Sequence, residues 1–322
     1  MTLLFETINN GLMAEAPLET QRLPTFYPSA ASCINEENGQ VIGTCLRAQW
    51  FRCKGYEESN PPGLYSQFIF AAGIMWEKWL TEQFKAAGLF LGSSLKHQDL
   101  KAYVSGEIDI LIRDPDMPGK KIIIEAKTYG AGNYSAKKEL VGMRAWQGKP
   151  AIQAHPKDQN LLQAFLYLIW FKDQNVSKTI IPYLDRSCSG PDGNAEFHIT
   201  YEVHNNRHYP VIQAYKYVAS GDTYVPVDNG RYVDRRVSFE GIMERYADLL
   251  ASLKSDLPPP AEYKHVFTDE EVIQRFNDGD IAKTKYEKWQ SDPAKNKIGD
   301  WQCSYCNHSD TCKAFKDEEG VM

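Results

Sequence analysis

Three charged residues in one short stretch have the types and spacing for joint chemistry: Asp109, Glu125 and Lys127. The stretch reads Gly106-Glu-Ile-Asp109-Ile-Leu-Ile-Arg-Asp, then Pro115-Asp-Met-Pro-Gly119, then Lys120-Lys-Ile-Ile-Ile-Glu125-Ala-Lys127. Two β-rich runs around a Pro/Gly turn predict a hairpin. Alternation along a strand then places Ile108, Ile110 and Ile112 on one face and Asp109 on the other. On the second run Ile122 and Ile124 share a face, with Glu125 and Lys127 opposite. One carboxylate from each strand suits a hard divalent cation such as Mg²⁺ or Mn²⁺. A water activated there, beside a lysine, is equipped to attack a phosphodiester. The same residue types on an edge strand would be plain solvated surface, so the rest of the chain has to supply the weight.

Two helices are expected to hold this hairpin in place. The first runs from about Ser66 to Ala87, with Phe68, Ala72, Met75, Trp79 and Phe84 as its buried stripe. Gly73 and Glu77 lie four apart on it and share a face. The glycine would allow close approach, and the glutamate would point into the gap or pair with a neighbour such as Lys78 or Thr81. The second helix runs from roughly Gln159 to Lys172 and is strongly apolar. Gln163 and Tyr167 form one polar pair on it, which a core hydrogen bond, or a nucleotide and a water, must satisfy. Between the hairpin and this helix the chain carries glycines at 130, 132, 142 and 148. From Lys120 to Lys149 seven basic residues face two acidic ones, a local charge of +5. A patch of that kind can neutralise phosphates although the whole chain carries −6.

At 322 residues the chain has room for one large domain with additions, or two smaller ones. No apolar run reaches the length of a membrane span, and residues 1–10 lack the pattern of a signal peptide, so a cytoplasmic protein is expected. Seven cysteines fit no disulfide framework in that compartment. Three of them stand together in Cys303-Ser-Tyr-Cys306-Asn-His-Ser-Asp-Thr-Cys312, a metal-ligand spacing. A fourth ligand must come from elsewhere: Cys33, Cys45, Cys53, Cys188, or His308 nearby. Zinc and an iron–sulfur cluster both fit the spacing. Further strands are expected over 177–183, 196–204 and 211–217, a helix over 238–253, the stiff connector Leu257-Pro-Pro-Pro260, and a capping box at Thr268-Asp-Glu-Glu271.

Taken in order, Gly73 with Glu77, Gly106-x-Ile-Asp109, Glu125-x-Lys127 and Gln163-x-x-x-Tyr167 resemble the RecB-like nucleases of the PD-(D/E)XK superfamily. The cysteines resemble the iron–sulfur subgroup of that family, which includes the AddB nuclease domain and the CRISPR-associated exonucleases. Glu77 departs from the histidine often found at its position. The resemblance implies an α/β PD-(D/E)XK core, a mixed central sheet flanked by helices, with N- and C-terminal arms joined by a cysteine-ligated cluster. The corresponding organisation is an irregular arm over 1–42, a core over 43–255 and a C-terminal extension over 256–322. It implies catalysis by Asp109, Glu125 and Lys127, with Mg²⁺ or Mn²⁺ held by Glu77, Asp109, Glu125 and the Ala126 carbonyl. Cys45, Cys303, Cys306 and Cys312 would ligate a [4Fe–4S] cluster, zinc being the alternative. Gln163, Tyr167, Lys137, Lys138 and Arg144 would contact DNA. The implied activity is a metal-dependent DNA exonuclease on single strands or strand ends, in recombination, repair or phage DNA processing, with a recombination or helicase protein as partner. The other readings are a structure-selective endonuclease and a non-catalytic DNA-binding accessory protein with a zinc-type module.

Overall fold

The computed structural model describes residues 25–35, 38–99, 103–129, 140, 153–185, 199–206, 208–218 and 223–319. The chain divides into two compact units, Met1–Gly43 with Leu64–Asp248, and Thr44–Gly63 with Leu249–Met322. Residues 44–63 group with the C-terminal part of the chain, and the described residues of 25–43 with the core. The reason is apolar packing. Helix α1 (Leu46–Cys53) buries Trp50 and Phe51 in one cluster with Cys312, and Leu253 and Phe315 pack against it.

The first unit is a mixed α/β structure built on an eight-stranded sheet in the order β10-β9-β8-β7-β5-β4-β3, with β6 also pairing to β7. The strands are β3 (Phe90–Asp99), β4 (Val104–Arg113), β5 (Lys121–Ile124), β6 (Lys127–Tyr129), β7 (Val176–Asp185), β8 (Ile199–Asn206), β9 (Tyr209–Val218) and β10 (Thr223–Val233). A small pair, β1 (Cys33–Ile34) and β2 (Val41–Ile42), stands apart. Strands β5 and β6 run parallel to β7, and the other pairings are antiparallel. A parallel pair needs a crossover, and helix α3 (Asp158–Trp170) lies within it.

Helices cover both sheet faces. On one face Leu80 of α2 (Leu64–Ala86) packs with Ile110, Ile112, Ile122 and Ile124, joined by Trp76 and Phe84. On the other, Tyr167 of α3 and the adjacent Phe171 pack with Ile108, Leu111 and Ile123. Two sequence expectations change here. Ile108 does not share a face with Ile110 and Ile112, because the strand's facing switches at Asp109. The stripe Phe68, Met75 and Trp79 is not buried either: these side chains are 49, 70 and 54 % exposed, and the sheet-facing stripe is Trp76, Leu80 and Phe84. A helix with apolar residues on two sides offers two stripes of equal period, and periodicity does not say which one meets the sheet.

Helix α4 (Phe239–Ser252) contains the boundary between the units. In the second unit α5 (Asp269–Asn277) opens with the expected capping box between Thr268 and Glu271. With α6 (Lys283–Ser291) it surrounds a small core of Phe267, Val272, Ile281, Trp289 and Ile298. Helices α7 (Trp301–Ser304) and α8 (Ser309–Glu319) carry the last cysteines.

Candidate metal centre of the sheet and the cysteine cavity

The three charged groups of the hairpin converge because the second strand breaks where they stand. Ladder pairing between β4 and β5 begins at Ile110 and Ile124. Glu125 and Ala126 form a two-residue interruption before β6 resumes alongside β7. The Ala126 N–H, released from the β4 ladder, donates to Asp109 Oδ2 at 2.8 Å. That bond turns the Asp109 carboxylate toward the break. Lys127 Nζ lies 3.1 Å from Glu125 Oε2 and 3.7 Å from Asp109 Oδ2. Both carboxylates therefore sit on one side of the ribbon with the ammonium beside them.

The electrostatics of this group are unbalanced. Glu125 is fully buried, and its Oε1 has no hydrogen-bond partner. Burial, with Asp109 next to it, pushes the Glu125 carboxyl up to about 8. Burial raises Asp109 as well. For Lys127, burial alone would lower the ammonium, but Glu125 and then Asp109 outweigh it and hold it above its ordinary value. Two carboxylates share one lysine, so the group is balanced while Glu125 holds its proton and is one positive charge short once both carboxyls ionise. Asp109 and Lys127 keep about a fifth of their side-chain surface exposed, at 21 and 20 %, which leaves the group open to solvent. Carboxylate oxygens alone, one orphaned, with an open side, form a donor set for a hard divalent cation.

Glu77 belongs to this neighbourhood: burial first, and the Asp109 charge second, raise its carboxyl to about 7. Its carboxylate, Asp109 and Glu125 do not supply three oxygens mutually within 4.8 Å. Of the two parts open to Gln163 and Tyr167, the core hydrogen bond is the one observed. The Tyr167 ring is 1 % exposed, so it has no face on which a base could stack. Its hydroxyl donates to the Glu107 carbonyl at 2.8 Å and accepts from Gln163 Nε2 at 3.1 Å. The polar pair is satisfied inside the core and braces the strand that carries Asp109. Gly106 makes room for it, since a Cβ there would meet Tyr167 Cε1 at 2.8 Å. Lys137, Lys138 and Arg144 lie outside the described residues.

In the second unit Cys45, Cys303, Cys306 and Cys312 line one cavity, together with Ala48, Phe51, Tyr263 and His265. Three elements bring them there. Cys45 stands at the N-cap of α1, which is fastened to the connector by Arg47 Nε donating to the Pro259 carbonyl at 2.6 Å, and to the segment just before it by Trp50 Nε1 donating to the Ser255 carbonyl at 3.2 Å. Burial, then the nearby Cys45, Asp300, Cys306 and Cys312, push the Cys303 thiol up to about 12. No three of the sulfurs lie mutually within 4.8 Å. Tetrahedral zinc with bonds of about 2.3 Å would hold its sulfurs roughly 3.8 Å apart. Cys53 and His308 do not line the cavity; His308 Nδ1 is 3.2 Å from the Glu57 carbonyl oxygen instead. Cys33 belongs to the first unit and Cys188 lies outside the described residues.

One cluster escaped sequence reasoning. Among the described residues, His155, Asp158 and Asp234 alone bring three ligand-type atoms within 4.8 Å of one another. A cation already sits among them: Arg236 Nη2 is 2.7 Å from Asp234 Oδ2, 3.2 Å from Asp158 Oδ1 and 2.7 Å from His155 Nε2. The guanidinium completes that network, and a metal ion there would have to displace it. Residues as far as 79 positions apart and of common types give no local sequence signal for such a contact.

No family model matches the chain, and no curated protein matches it. A solved structure, "Crystal structure of SSO0001", is similar over 97 % of both chains, at 16 % identity and a TM-score of 0.41. No helix among the described residues is long and apolar enough to cross a membrane.

Proposed function

We propose that this chain is a metal-dependent DNA nuclease of the RecB-like PD-(D/E)XK kind, an exonuclease acting on single strands or strand ends. One observation carries the reading: a fully buried glutamate with an unpartnered oxygen stands beside a second carboxylate, and both share a single lysine. A buried carboxylate in that condition is costly unless something positive meets it. Asp109 and Glu125 would hold a divalent cation, with Glu77 close by and the Ala126 carbonyl as a further donor. When bound, such an ion supplies Lewis-acid stabilisation of charge on a phosphoryl group. Lys127 is placed to hydrogen-bond an attacking water and to offset the extra negative charge on the phosphate as the bond breaks. Gln163 and Tyr167 act one step back, fixing the strand through the Glu107 carbonyl. Lys137, Lys138 and Arg144 supply the basic approach for the phosphates.

The four cysteines of the second unit are proposed to bind a structural [4Fe–4S] cluster. Their common cavity supports this. Ligation would join residues 44–63 to the C-terminal segment, so that metal binding contributes directly to folding.

The test is cleavage of end-labelled single- and double-stranded DNA with and without Mn²⁺, on protein purified without air. Wild type is expected to shorten the labelled strands only with the metal, and to leave circular single-stranded DNA intact. Glu125→Ala and Lys127→Ala are expected to abolish cleavage with the fold preserved. Retained cleavage in either variant refutes the site, and attack on the circle replaces the exonuclease by an endonuclease. Cys306→Ser is expected to remove visible absorption and reduce solubility. A colourless wild-type protein with stoichiometric zinc overturns the cluster and leaves the nuclease standing.

A further inference from the structure

Helix α2 presents an apolar surface that none of the described residues covers. Leu64, Phe68, Met75 and Trp79 are 40, 49, 70 and 54 % exposed. At 100° per residue they fall within about 60° of one another around the helix, a single stripe four turns long. Phe70 and Ile74, about half exposed, lie further round the helix toward the side of Glu77 and are not part of this stripe. Past Trp79 the outward face becomes charged at once, with Glu82 and Lys85 paired at 2.8 Å. Glu77 and the sheet-facing Leu80 lie on the opposite side of the helix, so this surface serves neither the core nor the candidate metal centre.

Chemistry narrows what can cover it. Lys78 is the one basic residue on the face over 64–79, too little for a phosphate backbone, which needs several cations along its path. An interfacial membrane helix also needs a basic fringe, and this helix lacks one. What remains is apolar protein surface, and the stripe is its own complement. A twofold axis between Ala71 and Ala72 sets Leu64 of one copy against Trp79 of the other, and Phe68 against Met75. The two alanines, the smallest residues of the stripe, then fall at the crossing point, where antiparallel helices approach most closely. Half-exposed side chains of this size offer on the order of 500 Å² of apolar surface per copy, so pairing buries on the order of 1,000 Å² in all. That meets the lower bound for a specific interface, while a lone patch of this extent is at the upper end of what single copies leave uncovered.

We propose that the exposed face of α2 binds a second copy of this chain, by antiparallel α2–α2 packing about a twofold axis at Ala71/Ala72. The contact is isologous.

Sedimentation of the full-length wild type from about 1 to about 100 µM tests it, a range in which an interface of this size associates. A monomer–dimer equilibrium is expected. Phe68→Glu and Met75→Lys, both at exposed positions, should each raise the dimer dissociation constant by at least about tenfold, with unchanged circular dichroism. Combined, they should restore a dimer, because each new carboxylate then faces the other copy's new ammonium. A wild type that stays monomeric throughout overturns the proposal. A dimer indifferent to both single substitutions also overturns it. A combined variant no tighter than the singles removes the twofold register.

Discussion

Two carboxylates on the same sheet, Glu125 and Glu202, each stand beside one lysine, yet their environments are opposite. Glu202 accepts from Lys178 Nζ at 2.6 Å, from Tyr215 Oη at 3.4 Å, and has His204 Nε2 at 3.3 Å. Both of its oxygens are engaged, and the His204 and Lys178 contacts outweigh burial to hold its carboxyl down at about 2. Glu125 shares its lysine with Asp109, has one oxygen without a partner, and is pushed up to about 8. The difference is one of completeness. The Glu202 network is electrostatically closed and can only stabilise, whereas the Glu125 group, once both carboxyls ionise, lacks one positive charge and is open for a cation to complete.

The largest effect that would break this comparison is on metal response. With Mn²⁺ at about a hundred times its dissociation constant, wild type should gain about 3 kcal/mol of stability through binding to the folded state. Glu125→Gln should lose that gain and lower cleavage by about 10³-fold or more, a magnitude typical of removing a group that stabilises charge in a transition state. Glu202→Gln should keep both. Calorimetric melting with and without Mn²⁺, beside the cleavage assay, reads the outcome. An unchanged Mn²⁺ response in Glu125→Gln would place the cation elsewhere.

Strand alternation made the grouping of Asp109, Glu125 and Lys127 legible, although their contact depends on the break at Glu125 and Ala126. That rule failed for Ile108, two residues from a break in pairing that only the folded sheet reveals. Helix α2 was legible in extent but not in orientation, since both of its sides are apolar. Strand β3 was missed altogether: Gly92, Ser93, Ser94, Lys96, His97 and Gln98 give no β pattern, and Ser94 has φ of 54°, so its pairing with β4 is imposed from outside. The role of Tyr167 in the core was one of two readings open from sequence. Burial decided it, and burial depends on Gly106, sixty-one residues earlier. Cys45 reached its partners' cavity by resemblance, not by spacing, because no local pattern relates it to residues past 300.

Gly106 and Gly73 give a second, smaller contrast, one at the back of the candidate centre and one on the helix beside it. A Cβ at Gly106 would meet Tyr167 Cε1 at 2.8 Å and Trp170 Cζ3 at 3.0 Å, whereas at Gly73 it would meet nothing within 4 Å. Gly106→Ala should therefore cost about 1–3 kcal/mol, the usual penalty of overpacking a dense core. Gly73→Ala should stabilise by about 1 kcal/mol through helix propensity. Denaturant titration measures both. Equal effects at the two positions would mean that Tyr167 does not press on Gly106. A Gly73→Ala protein that is more stable but cleaves more slowly would show that the space beside the helix is used by substrate.

The smallest effect belongs to the closed network and depends on pH. The Glu202 carboxyl ionises at about 2 in the folded chain against an ordinary 4.5. The unfolded chain therefore binds the extra proton first, and stability from this group is complete above pH 4.5 and is lost as pH falls toward 2. With 18 % of the side chain exposed, solvent screening reduces the contribution to about 2 kcal/mol. Urea unfolding of wild type and Glu202→Gln at neutral pH and near pH 3 should show the two proteins differing by about that amount at neutral pH and converging in acid. Glu125 has the opposite sense. Its raised carboxyl means that the folded chain holds the proton longer, so without a metal ion the group opposes folding as pH rises from 4.5 to about 8. If Glu202→Gln and wild type kept a constant difference across that acid range, the network would be ordinary packing and the two carboxylates would no longer form an open and a closed member of one pair.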